Sequence, residues 1–234
     1  MGLTPGRKLY EGKWKILFET GDPARLLQRF KDVPAFDHGV RRVPGRGAMK
    51  NRIAARLFEV LHASGVPTHY LEMTGERDMV VRRLEMIRLE VVLRNVVAGS
   101  LTKRLGMEEG TPLPLPVLEL YYKSDALGDP LVNETHVAAL GLASSEELKT
   151  IRDMTFRANA ILLPFFTERE IQLVDLKLEF GRIAGQVLIG DDITPDGCRF
   201  WDQATRARLG KDRRYRSAAR EAAAYAETCR RVCA

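Results

Sequence analysis

The run Leu173-Val174-Asp175-Leu176-Lys177-Leu178 alternates with the period of a strand, so Val174, Leu176 and Leu178 share one face while Asp175 and Lys177 share the other. A second apolar run, Val187-Leu188-Ile189-Gly190, follows, and residues 171–178 and 185–189 are predicted to pair as neighbouring strands around a turn at Gly181. Such a pair requires a sheet packed on a core. It also sets two charges beside that core, and each needs a partner or a ligand. Asp175 and Lys177 could satisfy each other. Glu179 and Asp191 stand at the ends of the two runs, where their carboxylates converge. One or two carboxylates, completed by nucleotide phosphates and water, are the hard oxygen set that magnesium takes. Read alone, the same acids are equally well solvated strand ends.

The rest of the chain mixes elements without regular alternation. Leu9-Tyr10 and Trp14 to Phe18 flank Gly12 as a tight hairpin. Residues 31–47 carry Pro34, Gly39, Pro44, Gly45 and Gly47, too much punctuation for a regular element. Met49, Ile53, Leu57, Val60 and Leu61 then recur at helical spacing until Gly65-Val66-Pro67 stops them. Residues 79–81 and 90–93 read as strands, with residues 84–87 between them as a connector. Ser144 and Glu147 form a capping box ahead of the stripe Leu148, Ile151, Thr155, Ala158 and Leu162, and Pro164 is expected to end or kink that helix. Residues 218–232 make a closing alanine-rich helix. The fold class predicted is α+β, divided near Glu85 into residues 1–85 and 86–234.

Of the 234 residues, 45% are hydrophobic and 29% charged, which suits a soluble protein. No apolar run approaches the roughly 20 residues of a membrane span, and the first residues lack the apolar centre of a signal peptide, so a cytoplasmic location is expected. Cys198, Cys229 and Cys233 form no metal-ligand pattern with the four histidines and read as free thiols. The formal charge of +6 is dispersed among acids, which favours anionic small molecules over nucleic acid or membrane as partners.

Three further stretches can carry chemistry. Tyr10-Glu11-Gly12-Lys13-Trp14-Lys15 sets a glycine, where backbone approaches a ligand closely, beside two lysines that can meet phosphate oxygens, although a plain surface hairpin reads the same way. Arg94-Asn95-Val96-Val97-Ala98-Gly99-Ser100 can open a helix whose N–H groups hold a phosphate together with Arg94; the bland alternative makes Ser100 an ordinary N-cap and Arg94 a surface ion-pair partner. Residues 191–202 pack four acids and an arginine around Pro195 and Gly197, a composition seldom kept for scaffolding alone.

In order and wording these stretches resemble the phosphoribosylaminoimidazole-succinocarboxamide (SAICAR) synthases of purine synthesis over nearly the whole chain. Residues 10–15 look like that family's nucleotide hairpin, and residues 94–106 like its phosphoribosyl signature. Tyr122-Lys123-Ser124-Asp125 with Gly128-Asp129-Pro130, residues 173–181 and residues 191–202 complete the match. The resemblance implies a two-lobed fold with ATP between the lobes. It also implies an ATP- and magnesium-dependent ligase that joins the carboxylate of carboxyaminoimidazole ribotide to the amine of L-aspartate through an acyl phosphate, in a possible homo-oligomer. Carried over by position, Gly12, Lys13, Lys15, Met86 and Lys123 would contact ATP, and Glu179 and Asp191 would hold magnesium. Arg94, Ser100, Arg199 and Asp129 would bind the ribotide, while Lys177, Asp175 and Lys13 would sit at the reacting groups. The sequence departs from the family pattern at Pro34 (usually Ser or Thr), Lys50 (Asn), Arg88 (Pro), Asp192 (Glu) and Arg214-Tyr215-Arg216. These changes gather on the substrate side. They leave open a paralogue acting on a related azole carboxylate or amine, with the added Lys50 favouring a different azole. A catalytically inactive nucleotide-binding regulator is the remoter alternative.

Overall fold

In the computed structural model, which describes residues 4–33, 43–210 and 217–234, the chain builds two antiparallel sheets with three long helices against them. Strands β1 (Lys8–Glu11), β2 (Lys15–Glu19) and β3 (Arg25–Phe30) lead through helix α1 (Arg46–Ala63) to β4 (Tyr70–Met73) and β5 (Asp78–Arg82), giving a five-stranded sheet ordered β1-β2-β3-β5-β4. The second sheet begins at once with β6 (Glu85–Val96). After the short helix α2 (Ser100–Leu105) come β7 (Pro112–Tyr122), β8 (Leu131–Val132), α3 (Glu134–Ala139), α4 (Ser145–Thr167), β9 (Ile171–Ile183), β10 (Gln186–Gly190), β11 (Arg199–Asp202) and α5 (Ala218–Val232). Its order is β10-β9-β6-β7-β8, with β11 also pairing β9. The mixture agrees with the α+β expectation. Pro34 and residues 211–216 lie outside the described residues.

Local chemistry explains most boundaries. The β1–β2 hairpin closes through Gly12 N–H donating to the Lys15 carbonyl at 2.9 Å, and a side chain at Gly12 would meet the Tyr10 ring at 2.9 Å. At the C-terminus of α1, Gly65 takes the left-handed conformation and Val66 N–H returns to the Leu61 carbonyl, which stops the helix where Pro67 requires. The capping box of α4 forms as expected: Ser144 Oγ accepts from Glu147 N–H and the Glu147 carboxylate accepts from Ser144 N–H. Pro164 does not end α4. The helix continues to Thr167, so the missing donor falls in its last turn and costs a single bond.

The turn expected at Gly181 is not there. β9 runs straight through Gly181 and reverses only at Ala184-Gly185, both at positive φ. Gly181 serves instead a close approach of chains, since a Cβ there would lie 2.7 Å from the Leu84 side chain and 3.0 Å from the Glu85 carbonyl.

One apolar cluster joins Phe30, Ile53, Phe58, Leu61, Leu162, Phe166, Phe180 and Ile189. Helix α1 contributes most of its buried face to it, wedged between the first sheet and helices α4 and α5. The sheets are also tied by backbone: His69 N–H donates to the Ile189 carbonyl at 2.8 Å, and Ile189 N–H to the Pro67 carbonyl at 3.2 Å. Among the described residues no helix is long and apolar enough to cross a membrane.

Candidate active site

The face of the second sheet that looks toward the β1–β2 hairpin is a grid of charges, and its geometry follows from strand register. Glu90 on β6 pairs across Glu179 on β9, Val92 pairs Lys177, and Arg94 pairs Asp175. β7 extends the rows with Tyr121 opposite Glu90 and Glu119 opposite Val92, and β11 adds Arg199 opposite Asp175. Gly190 is the partner of Glu179 on β10, so Asp191, the next residue, falls beside the Glu179 carboxylate. The two strand-end acids converge as their sequence positions predict. Alternation of side chains does the rest: residues 90, 92 and 94 and residues 175, 177 and 179 must share this face.

Above the grid lies a cleft of about 480 Å³ lined by Gly12, Lys13, Lys15, Arg94, Ser100, Lys123, Asp129, Lys177, Glu179, Asp191 and Arg199. Eleven of the thirteen predicted site residues therefore meet in one cavity. The others are placed differently. Met86 lines an adjoining apolar pocket of about 300 Å³ with Leu17, Leu26, Val81 and Ile87, and the two cavities share Lys15, Lys123, Glu179 and Asp191 at their junction. Asp175 lies wholly buried beneath the cleft floor.

The ammonium of Lys177 sits 2.9 Å from Glu90, 2.8 Å from Glu179 and 3.9 Å from Asp191. Burial opposes its charge, but Glu179 and Glu90 outweigh that and hold its pKa above the ordinary value. Burial would likewise raise Glu179, yet Lys177, Lys123 and Lys15 hold it at about 2. Lys15 is pulled down to about 8 because desolvation exceeds the attraction of Asp192 and Glu179. Lys15 also ion-pairs with Asp191, and Lys123 with Glu179. Three lysines thus converge on two acids, so Glu179 is held ionised and the lysines stand where phosphate oxygens could replace or join their carboxylate partners.

Asp175 and Lys177 do not pair with each other. Asp175 accepts from the Arg199 backbone N–H at 3.0 Å, from the Arg199 guanidinium, and from Arg94 Nη1 at 3.3 Å. Arg94 is no surface residue: it is 3% exposed and also donates to Glu119 at 2.6 Å, the Ala98 carbonyl at 3.2 Å, Ser100 Oγ at 3.3 Å and the Tyr121 hydroxyl at 3.2 Å. Ser100 is not the N-cap of α2. Gly99 holds that position at φ 59° and ψ −130°, a region open essentially to glycine, and a Cβ there would strike the Arg199 guanidinium carbon at 2.9 Å. Arg199 keeps the more open guanidinium of the two, 42% exposed toward the cleft. Asp129 stands at the cleft edge, where its carboxylate accepts from Ser124 N–H at 2.8 Å and shapes the turn after β7.

A second network was not read from sequence as part of the site. Arg46 and Lys50, one turn apart on α1, are both fully buried. Arg46 bonds Asp196, Glu221 at 3.0 Å and the Tyr225 hydroxyl at 2.8 Å, and stacks over the Trp14 ring at 3.9 Å. Lys50 Nζ reaches Asp196 at 2.7 Å and Asp192 at 3.9 Å. Asp196 stays ionised at about 2, since Lys50 and Arg46 override its burial. The available signal was two basic residues at i and i+4 on an otherwise apolar helix face.

Among the described residues no group of three or more His, Cys, Asp or Glu side chains could hold a metal alone. Glu179 and Asp191 are nonetheless an ionisable oxygen pair at the junction of the two cavities, which fits an ion whose remaining positions come from phosphates and water. An apolar slot opening into a lysine-rich, two-acid cleft can seat a planar base and its polyphosphate.

The chain matches the family model described as SAICAR synthetase over residues 8–232. It is similar to phosphoribosylaminoimidazole-succinocarboxamide synthase of Desulfitobacterium hafniense (strain Y51), 48% identical over 232 residues that cover 98% of each chain. Among solved structures it resembles the synthase of the same name from Ehrlichia chaffeensis, at TM-score 0.91 and 36% identity, covering 97% of this chain and 98% of that one. It also resembles a type-2 SAICAR synthetase in complex with ADP, at TM-score 0.89 and 40% identity, covering 97% of both chains.

Proposed function

The chain belongs to the SAICAR synthetase family, and from that premise we propose that it is the ATP-dependent ligase that condenses carboxyaminoimidazole ribotide with L-aspartate in purine synthesis. The observation that carries the reading is the junction of the two cavities, where Lys15, Lys123, Glu179 and Asp191 border both the apolar slot and the charged cleft. The base of ATP takes the slot beside Met86. Its phosphates lie along Gly12, Lys13, Lys15 and Lys123, and the relative solved with ADP supports a nucleotide here. The two units expected from the sequence, residues 1–85 and 86–234, act as two lobes that clasp it.

The ribotide phosphate is held by Arg199 and by the Arg94–Ser100 corner at the start of α2, with Asp129 at the rim. Its carboxylate then faces Lys177. A carboxylate is a poor acyl donor at neutral pH, so its oxygen attacks the γ-phosphorus, ADP leaves, and an acyl phosphate forms. The aspartate amine attacks the acyl carbon, phosphate departs, and the amide remains after loss of the amine proton. Lys177, kept protonated by Glu90 and Glu179, is the group positioned to stabilise charge on the transferring phosphoryl. Magnesium held by Glu179 and Asp191 would supply further charge neutralisation on the phosphates. Asp175 touches no open space and acts through Arg94 and Arg199 as a positioning residue. Three free thiols suit the reducing conditions of the cytoplasm.

Lys50 bears on the alternative of a different azole. Its ammonium is 1% exposed and taken up by Asp196 and Asp192, so it offers no spare cation to a substrate, which favours the purine reading. The test supplies ATP, magnesium, L-aspartate and the ribotide and follows ADP and succinocarboxamide together. Turnover with that pair establishes the reading, turnover only with another azole or amine moves the chain to a specialised pathway, and no turnover with any pair removes the ligase.

A further inference from the structure

The cysteines of α5 lie outside the catalytic cleft. Cys229 and Cys233 are one helical turn apart, both reduced, and their sulfurs are 4.0 Å from each other. Cys229 is buried in the core cluster, while Cys233 is partly exposed at the helix end and opens the pair to solvent. We propose that Cys229 and Cys233 form a dithiolate site for a soft, thiophilic divalent cation.

Two observations converge. Two metal–sulfur bonds of about 2.3 Å at a tetrahedral angle span about 3.8 Å between sulfurs, so the pair is already set at chelating distance without moving the helix. The site lies at the C-terminal end of a fifteen-residue helix, where the last carbonyls leave a partial negative charge that favours a cation. Thiolate is the ligand that soft metals select. Binding exchanges two S–H bonds for two metal–sulfur bonds, releases the thiol protons to solvent and changes no oxidation state. Water completes the coordination. Cys198 offers a contrast: it is buried, its sulfur accepts from Lys177 N–H at 3.4 Å, and burial pushes it up to about 12.

The experiment titrates the full chain with cadmium(II), reading the ultraviolet sulfur-to-metal absorption, the stoichiometry and the protons released. About one equivalent is expected per chain. Cys229→Ser and Cys233→Ser should each lose the absorption and bind at least about a hundredfold more weakly, because a chelate becomes a single contact; Cys198→Ser should bind as wild type. Cys233 is partly exposed, so Cys233→Ser tests the site even where Cys229→Ser fails to fold. Cadmium absorption that persists in folded Cys233→Ser, or that disappears in Cys198→Ser, overturns the proposal.

Discussion

Asp175 holds Arg199 twice, through its backbone N–H at 3.0 Å and through its guanidinium, while its second oxygen also accepts from Arg94 at 3.3 Å. A wholly buried carboxylate therefore fixes both arginines assigned to the ribotide without touching the cleft itself. Asp175→Asn keeps the shape and removes the charge that opposes two guanidiniums. We expect KM for the ribotide to rise about 30-fold, near 2 kcal/mol, with KM for ATP little changed. Asp175→Ala should in addition destabilise the fold by about 3 kcal/mol. Equal effects on both substrates would assign Asp175 to general scaffolding instead.

Gly99 tests the same corner from the backbone. At φ 59° and ψ −130°, with Arg199 against its α-carbon, Gly99→Ala must both strain the chain by about 1–3 kcal/mol and push the guanidinium aside. The expected result is weak ribotide binding with intact ADP binding, measured by calorimetry on each ligand. Loss of ADP binding as well would mean that the corner supports the whole cleft.

Glu179→Gln separates chemistry from folding at the junction of the cavities. Lys177 keeps Glu90 at 2.9 Å after the change, so no buried ammonium is stranded. Turnover should fall by at least about a hundredfold while the melting temperature shifts by only a few degrees. A collapse of stability with activity per folded molecule preserved would make Glu179 structural.

Acid stability reports the buried Asp196. Its folded pKa of about 2 lies below the ordinary aspartate value of 3.8, so its ionised form is favoured in the folded state by Lys50 and Arg46. A depressed carboxylate contributes stability that is fully present above about pH 4 and is lost as pH falls toward 2, roughly 2 kcal/mol in all. Asp196→Asn should thus be less stable than wild type at pH 7, and the gap should shrink through that window. Urea unfolding at several pH values checks it; a constant gap contradicts the linkage.

The grid of β9 was legible because a strand's period leaves no freedom: once residues 173–178 alternate, Asp175, Lys177 and Glu179 share a face. The partners of that grid were less so. Glu90 and Arg94 face it only because β6 pairs β9 in one register, and register between strands some eighty to ninety residues apart is a tertiary outcome. The turn misplaced at Gly181 has a related cause, since glycine marks both turns and close approaches and only the position of Leu84 decides which. The Arg46–Tyr225–Asp196 network joins two helices and a loop from three regions of the chain, and no local pattern announces that meeting. Pro34, a departure noted in the sequence, lies outside the described residues.

Lys50 is the departure the structure does explain. Its ammonium lies between Asp196 at 2.7 Å and Asp192 at 3.9 Å, over the rings of Phe30 and Trp14, and Asp192 in turn ion-pairs with Lys15 at 3.4 Å. Removing that cation leaves two buried acids to compete for Arg46 and Lys15. Lys50→Met should destabilise the protein by about 2 kcal/mol. Lys50→Asn should recover part of that loss, since an amide can still donate to Asp196. The choice of azole should be unchanged in both, because the ammonium, although Lys50 stands in the cleft wall, is 1% exposed and held by Asp196 and Asp192. Thermal melts with a panel of azole carboxylates decide the matter: altered azole preference in a stable Lys50→Asn variant would make this lysine a reader of substrate, and unaltered preference with lowered stability makes it the counter-charge that lets Asp192 and Asp196 stay buried.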